Sequence, residues 1–338
     1  MKIVLHIGLH RTGTTALQAA LASGGARLRE KGVWFEPTAQ VRPVIATPLG
    51  AAAKAGPLAG AARRWARASI RRWVRAREDE GVRRLVLSDE TMLGLMERSL
   101  GPAGIYPDAA ARLGLLAEAL DGWETQAHAG LRPPAEWYPS VYAFALSRRP
   151  QADGFEPVRR AALEAERGQA ALARDVHAVF PGPIFWTSDF HGAHAGRVRR
   201  MLTGQRFARR LRPPRRRTNV SLSAPALARL EALRADGREV DRSVVIALRR
   251  EAPVRRAGAW DPWSAAEQEA LAARWREEIA AIRGAGLRVL GGGRVLGEGG
   301  RGRGRRGRLR PAGDETGAAA YIGGEAVPVR GASQGGAR

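Results

Sequence analysis

Met1-Lys2-Ile3-Val4-Leu5-His6-Ile7-Gly8-Leu9-His10-Arg11-Thr12-Gly13-Thr14-Thr15-Ala16-Leu17-Gln18 opens the chain and decides its fold. An apolar run at 3–7 is followed by a Gly-x-x-x-x-Gly loop and two threonines, then by an alanine-rich, helix-favouring stretch at 16–22. That is the layout of a strand, a phosphate loop and a helix. Small loop residues let backbone N–H groups approach an oxyanion. A helix starting near Thr14 points its positive dipole end at the same place, and the threonine hydroxyls add donors. The loop departs from the standard nucleotide-hydrolysing form, Gly-x-x-x-x-Gly-Lys-Ser/Thr, because Thr14 stands in the lysine position. Its only cation is Arg11. A strand-to-helix turn that needs glycine for geometry alone is the plain alternative.

The rest of the chain bounds what such a loop can serve. With 338 residues, 44% of them hydrophobic, there is enough apolar material for an enzyme-sized core. The net charge of +23 comes from 56 Lys+Arg against 33 Asp+Glu. Lysine occurs only at 2, 31 and 54, so the cations are overwhelmingly arginine, whose guanidinium matches phosphate and sulfate geometry. GC-rich coding produces the same Arg, Ala and Gly excess without any ligand. The absence of cysteine excludes disulfides, zinc–thiolate sites and thiol nucleophiles. No apolar run reaches membrane-spanning length and the first residues do not read as a signal peptide, so a cytoplasmic protein without a membrane span is expected.

Taken in order, the pattern predicts a helix at 16–31 interrupted by Gly24-Gly25, a short strand at 32–35, and a Pro/Ala/Gly-rich loop over the site at 36–60. Residues 61–80 predict an amphipathic helix, with Trp65, Ser69, Trp73, Ala62, Ala66 and Ile70 opposite Arg63, Arg64, Arg67, Arg71 and Arg75. Residues 84–90 turn from apolar to polar at Ser88-Asp89-Glu90, as the carboxyl end of a buried parallel strand does. A helix is expected at 109–120, a loop at 121–139, a buried strand at 141–146, one long helix at 156–180 and a short strand at 184–186. His191 and His194 read as loop histidines, and no metal site is expected. Residues 197–217 hold ten arginines and no acid. Ser264 and Glu267 form a capping box, opening a helix with Leu271, Trp275, Ile279 and Ile282 on one face, and a last strand is expected at 287–290. From 291 to 338 glycine and arginine dominate, including Arg-Gly-Arg-Gly-Arg-Arg-Gly-Arg at 301–308. The division is therefore a folded domain at 1–290 and a tail at 291–338 expected to be disordered. Such a tail can contact nucleic acid through phosphates, although a poorly constrained extension of the reading frame is favoured.

The hexad His10-Arg11-Thr12-Gly13-Thr14-Thr15 resembles the 5′-phosphosulfate-binding loop of bacterial sulfotransferases, which often carry His-Lys-Thr-Gly-Thr-Thr-x-Leu-Gln; Arg11 is a charge-conserving departure. Asn219-Val220-Ser221-Leu222-Ser223, with Leu227 following, resembles a segment late in the same family. The resemblance spans about residues 1–290 and implies a P-loop-type α/β three-layer sandwich with a central parallel sheet. It also implies sulfuryl transfer from 3′-phosphoadenosine 5′-phosphosulfate to a hydroxyl or amine of a carbohydrate, lipid or small molecule. His10, Arg11, Thr12, Gly13, Thr14 and Thr15 would bind this anionic donor, Arg11 also acting in catalysis. Ser88-Asp89-Glu90 resembles the family's Ser-x-Glu, which makes Glu90 the candidate general base; a helix-capping carboxylate is the alternative. Arg148, read as lying at a strand end, matches the arginine that meets the donor's 3′-phosphate. The serine usual about eight residues later is Glu156 here, an unfavourable neighbour for a phosphate. A P-loop kinase, a catalytically idle polyanion or nucleic-acid binder, and a degenerate sulfotransferase are the rival readings.

Overall fold

The computed structural model describes residues 1–148, 154–187, 193–213, 222–254 and 260–291. The strands are β1 (Lys2–His6), β2 (Val33–Glu36), β3 (Arg84–Ser88), β4 (Glu124–Leu131), β5 (Ile184–Thr187) and β6 (Arg288–Leu290). They form one six-stranded sheet in the order β2-β3-β1-β4-β5-β6, and every pairing is parallel. Strand alternation divides the core into two layers. Ile3, Leu5, Leu85, Leu87, Ala127, Ala129 and Phe185 face one side, and Val4, Val86, Ile184 and Trp186 face the other.

The second face is covered by α1 (Thr14–Ala22), α2 (Gly25–Glu30) and α10 (Ala193–Thr203), through Leu17, Leu21, Leu28, Val198 and Leu202. On the first face, α5 (Ala59–Asp79) buries Ala66, Ile70 and Val74. It is joined there by α6 (Ala109–Ala119), α7 (Pro134–Arg148), α8 (Glu156–Glu164) and α9 (Gln169–Val179). The later helices α11 (Ala224–Ala235), α12 (Arg242–Glu251) and α13 (Ala265–Gly284) join the same core, α13 through Leu271, Trp275, Ile279 and Ile282. Its capping box is complete, with Ser264 and Glu267 bonded to each other's backbone N–H. Buried faces on both sides of a parallel sheet make this a three-layer α/β sandwich. Trp65 of α5, expected on the apolar face, is instead 54% exposed.

Several expected elements differ. Residues 36–60 are mainly helical: α3 (Thr38–Val41), a π-helical turn (Arg42–Ala46) and α4 (Thr47–Lys54). The segment at 121–139 holds β4, a central strand. Glu124, Thr125, Gln126 and His128 disguise it, because only the alternate Ala127, Ala129 and Leu131 face the larger core layer. Residues 141–146 are helix, within α7. A continuous apolar run fits a buried strand or a helix buried all round, and here Trp137, Tyr138, Val141, Tyr142 and Leu146 are all buried. Pro139 sits inside α7 and has no N–H for the carbonyl of Ala135; the Trp263 indole donates to that carbonyl at 2.7 Å instead. The long helix expected at 156–180 is broken into α8 and α9 around Ala165, whose backbone is extended. Thr218, Asn219, Ser221, His191 and the tail from 292 lie outside the described residues.

From β1 the chain goes on to β2 on one side of the sheet, and from neighbouring β4 to β5 on the other, so their carboxyl ends flank a topological switch point, where open α/β sheets bind ligands. The β1–β4 ladder continues past the strand: Ile7 N–H donates to His128 O at 2.9 Å and Leu9 N–H to Gly130 O at 3.1 Å. Between them Gly8 is pressed so close that an added Cβ would stand 2.5 Å from Gly130 N. Gly8→Ala is expected to cost about 2–3 kcal/mol or more, because the obstacle is backbone. Gly25→Ala, with nothing within 4 Å, should cost nothing measurable. Urea denaturation of both variants checks this; equal stabilities would contradict the close approach.

Candidate functional site

The loop leaves β1 at His6 and reaches α1 through two left-handed residues, Arg11 at φ 67° and Gly13 at φ 88°. Gly13 occupies the N-cap position of α1 and so brings no side chain of its own to cap that end. An N-cap without a side-chain acceptor is compatible with an anion site. The two buried threonines divide the work. Thr12 Oγ1 donates to Leu9 O at 2.6 Å and lies 3.4 Å from Thr14 Oγ1, so Thr12 braces the turn from inside. Thr14 lies beside the Glu90 carboxyl, near enough to lower its pKa somewhat. Thr15 is half-buried and Gly13 exposed, on the open side of the loop.

His10 is fixed from three directions. Its N–H donates to Tyr106 Oη at 3.0 Å, its Nδ1 lies 2.6 Å from the same oxygen, and its carbonyl accepts from Trp137 Nε1 at 2.8 Å. Burial, with Arg42, Arg11 and Arg148 nearby, lowers the imidazole pKa to about 3, so it is neutral at physiological pH. Burial pushes the Tyr106 phenol well above its ordinary value. A protonated phenol that already accepts from the backbone is best satisfied by donating to Nδ1, which leaves the ring proton on Nε2.

Arg11 lies along one stripe of α7. Its Nε donates to Ser140 Oγ at 3.1 Å, its guanidinium sits 5.1 Å from the Phe144 ring centre, and Arg148 sits 5.8 Å from the same ring. Ser140, Phe144 and Arg148 are spaced i, i+4, i+8, one face of a helix. Arg148 therefore approaches the loop, but from a helix and not from the strand end expected. Arg132 Nη1 donates to Arg11 O at 2.7 Å. Burial, then the charges of Arg132 and Arg249, pull the Arg11 pKa down to about 10. Arg249, on α12, has a buried Nε with no hydrogen-bond partner among the described residues. Guanidiniums from the loop, α7 and α12 thus converge where residues 8–13 open.

At the end of β3 the three polar residues part company. Ser88 is structural: its Oγ lies 2.7 Å from His6 Nδ1 and accepts from Gln18 Nε2 at 3.0 Å, tying β3 to β1 and α1. Asp89 takes the capping role considered for Glu90. It accepts from Thr91 N–H at 3.0 Å and holds Arg42 through both oxygens at 3.2 Å each. Glu90 begins the 3-10 turn Glu90–Met92 in place of a longer helix, and it is buried. Burial, reinforced by Asp89, raises its pKa, against smaller lowering by its hydrogen bonds, Thr14 among them, and by Arg42. The buried Arg112 positions this turn, donating to Met92 O at 3.0 Å, Thr91 O at 2.8 Å and Ala46 O at 3.1 Å. Residues 36–60 are thus not a loop, yet they do reach the site. Glu156 pairs with Arg159 at 3.2 Å and is 65% exposed. Sequence reasoning missed Tyr106, Arg42, Arg132 and Arg249, which carry no local motif; only the arginine excess hinted at the cations. No group of residues that could hold a metal ion occurs among the described residues.

A buried carboxyl with a raised pKa binds its proton more tightly in the fold than in the unfolded chain. It therefore removes stability as pH rises from the ordinary value of 4.5 through the raised one. Glu90→Gln is expected to be more stable than wild type near pH 7 and indistinguishable from it below pH 4. Thermal denaturation across that range measures the difference; a variant less stable at pH 7 would contradict the burial argument.

No family model, no curated protein and no solved structure matches the chain, so the functional reading rests on the loop, the cations and the carboxylate described above.

Proposed function

We propose that the protein is a sulfotransferase that moves a sulfuryl group from 3′-phosphoadenosine 5′-phosphosulfate to a hydroxyl or amine. The observation that carries this reading is the placement of Glu90. A buried carboxyl beside Thr14, at the start of the helix that follows the loop, puts a proton acceptor next to the proposed anion cradle. In the reaction the acceptor oxygen or nitrogen bonds to sulfur while the bond from sulfur to the bridging phosphate oxygen breaks. The acceptor's proton goes to Glu90, and 3′-phosphoadenosine 5′-phosphate leaves.

The chain's part in this is largely electrostatic. Arg11 and the N–H groups at the start of α1 stabilise charge growing on the departing phosphate, as in phosphoryl transfer. His10, held neutral, offers Nε2–H as a donor that adds no charge. Arg148 meets the 3′-phosphate and so favours this nucleotide over ATP; Arg249 supports the same anion from α12. Burial that raises the pKa of Glu90 makes it a stronger base than an ordinary carboxylate. A kinase reading is weaker, because the lysine such a loop uses is replaced by Thr14.

Calorimetry with 3′-phosphoadenosine 5′-phosphate and with ATP, each with and without magnesium, tests the assignment. Expected are micromolar binding that prefers the 3′-phosphorylated nucleotide, an affinity loss of about 100-fold in Arg11→Ala, and loss of the preference in Arg148→Ala. In an acceptor screen Glu90→Gln should leave this binding intact and lower kcat by about 100-fold or more. Tighter, magnesium-dependent binding of ATP would overturn the reading in favour of a kinase.

A further inference from the structure

A second cationic site lies away from the loop, on the sheet face covered by α10. A cleft of about 420 Å³ is lined by Gln126 and His128 of β4, Ile184 of β5, Arg197, Arg200 and Met201 of α10, Gly204 and Arg288 of β6. In the register of the sheet, Arg288, Ile184 and His128 stand level with His6, the last residue of β1. The cleft opens beside that row, between β4, β5, β6 and α10, and none of the residues 8–15 of the loop lines it.

Two independent features give this cleft the character of a binding site. His128 is 1% exposed, and neither ring nitrogen has a hydrogen-bond partner among the described residues. Buried imidazoles are ordinarily satisfied, so one turned unsatisfied towards a cleft is a polar contact waiting for a partner. Around it, Arg197 and Arg200, one helical turn apart, and Arg288 from across the cleft make no ion pair among the described residues. Arg84 adds a fourth guanidinium nearby, donating to Leu202 O at 3.3 Å. The carboxylate at the start of β4, Glu124, is already paired with Lys2. Arg200 also borders a neighbouring cleft of about 490 Å³ with Arg206, Arg209 and Arg210. The described part of the arginine-rich run therefore serves this face. It packs at the far end of α1, where Ser23 Oγ donates to Arg212 O, and not over the loop.

We propose that this cleft is a second anion site, built for a small molecule carrying two or more phosphate or sulfate groups. Its volume falls in the range of small-ligand pockets, and planar guanidiniums set around a buried imidazole suit tetrahedral oxyanions. None of the residues 8–15 of the loop lines the cleft, so the proposal does not rest on what the loop binds.

Calorimetric titration of the full chain with inorganic pyrophosphate tests it, using wild type, Arg11→Ala and the double variant Arg197→Ala/Arg200→Ala. Both α10 arginines are exposed, so the fold should tolerate their removal. The expected result is a binding event that survives Arg11→Ala and weakens about tenfold or more in the double variant. His128→Asn should weaken the same event and leave any loop event unchanged. No event surviving Arg11→Ala, or one indifferent to both α10 arginines and to His128, would overturn the proposal. Failure of pyrophosphate alongside tight binding of a sulfated oligosaccharide would also overturn it, replacing the small-molecule site with a polymer surface. Loss of the loop event alone would count against the sulfotransferase reading and leave this site standing.

Discussion

Two backbone hydrogen bonds beyond the end of β1, from Ile7 to His128 and from Leu9 to Gly130, set the geometry on which the rest of the site depends. They keep the chain in register with β4 until the loop turns, and they draw Gly8 against Gly130 with no room for a side chain. Because the loop's origin is pinned, its left-handed residues Arg11 and Gly13 can aim the uncapped end of α1 at the switch point between β1 and β4. The same placement brings Thr14 to Glu90 and Arg11 to the Ser140–Phe144–Arg148 stripe of α7.

Charge is then arranged around that frame at a cost to stability. Arg132 and Arg249 both bear on Arg11, and the buried Arg249 Nε lacks a partner among the described residues. Like charges gathered in partly buried surroundings destabilise the protein unless an anion joins them. Glu90 contributes in the same sense, being ionisable yet buried. Arg42 and Arg112 hold the Asp89–Met92 turn in place, one through the Asp89 carboxylate and the other through the carbonyls of Thr91 and Met92, while Arg112 also ties the turn to Ala46 O. Sites that bind and react often hold such locally unfavourable groups, supported by the packing around them.

Much of this was legible in the residues. The strands β1, β3 and β5 are short apolar runs ending in polar residues, and the helices α1 and α13 carry loop and capping-box signals that act locally. What escaped was set by tertiary context. β4 is central, yet it offers only Ala127, Ala129 and Leu131 to the larger core layer, so its period-2 signal is faint. In α7 the opposite holds: apolar residues on every side erase the helical period, and Val141 to Leu146 reads equally well as a strand. Residues 36–60 look like a loop because Pro37, Pro43 and Pro48 punctuate them, although prolines at helix starts are compatible with helix. The apolar run before Arg148 reads as a strand, yet residues 134–148 are helical, and it is the α7 stripe that brings Arg148 to the same Phe144 ring as Arg11. Tyr106, Arg42 and Arg249 are separated from the loop by long stretches of chain, and no local pattern announces them.

The claim at the centre of this account is that the backbone of the loop and the first turn of α1 form an oxyanion cradle. Backbone amide ¹⁵N and ¹H shifts recorded while pyrophosphate is titrated into the protein test it most directly. The account predicts that the amides of Gly13, Thr14 and Thr15 move together and saturably, and that they stop moving in Arg11→Ala. Saturable shifts elsewhere in the protein, with those three amides unmoved, would contradict it.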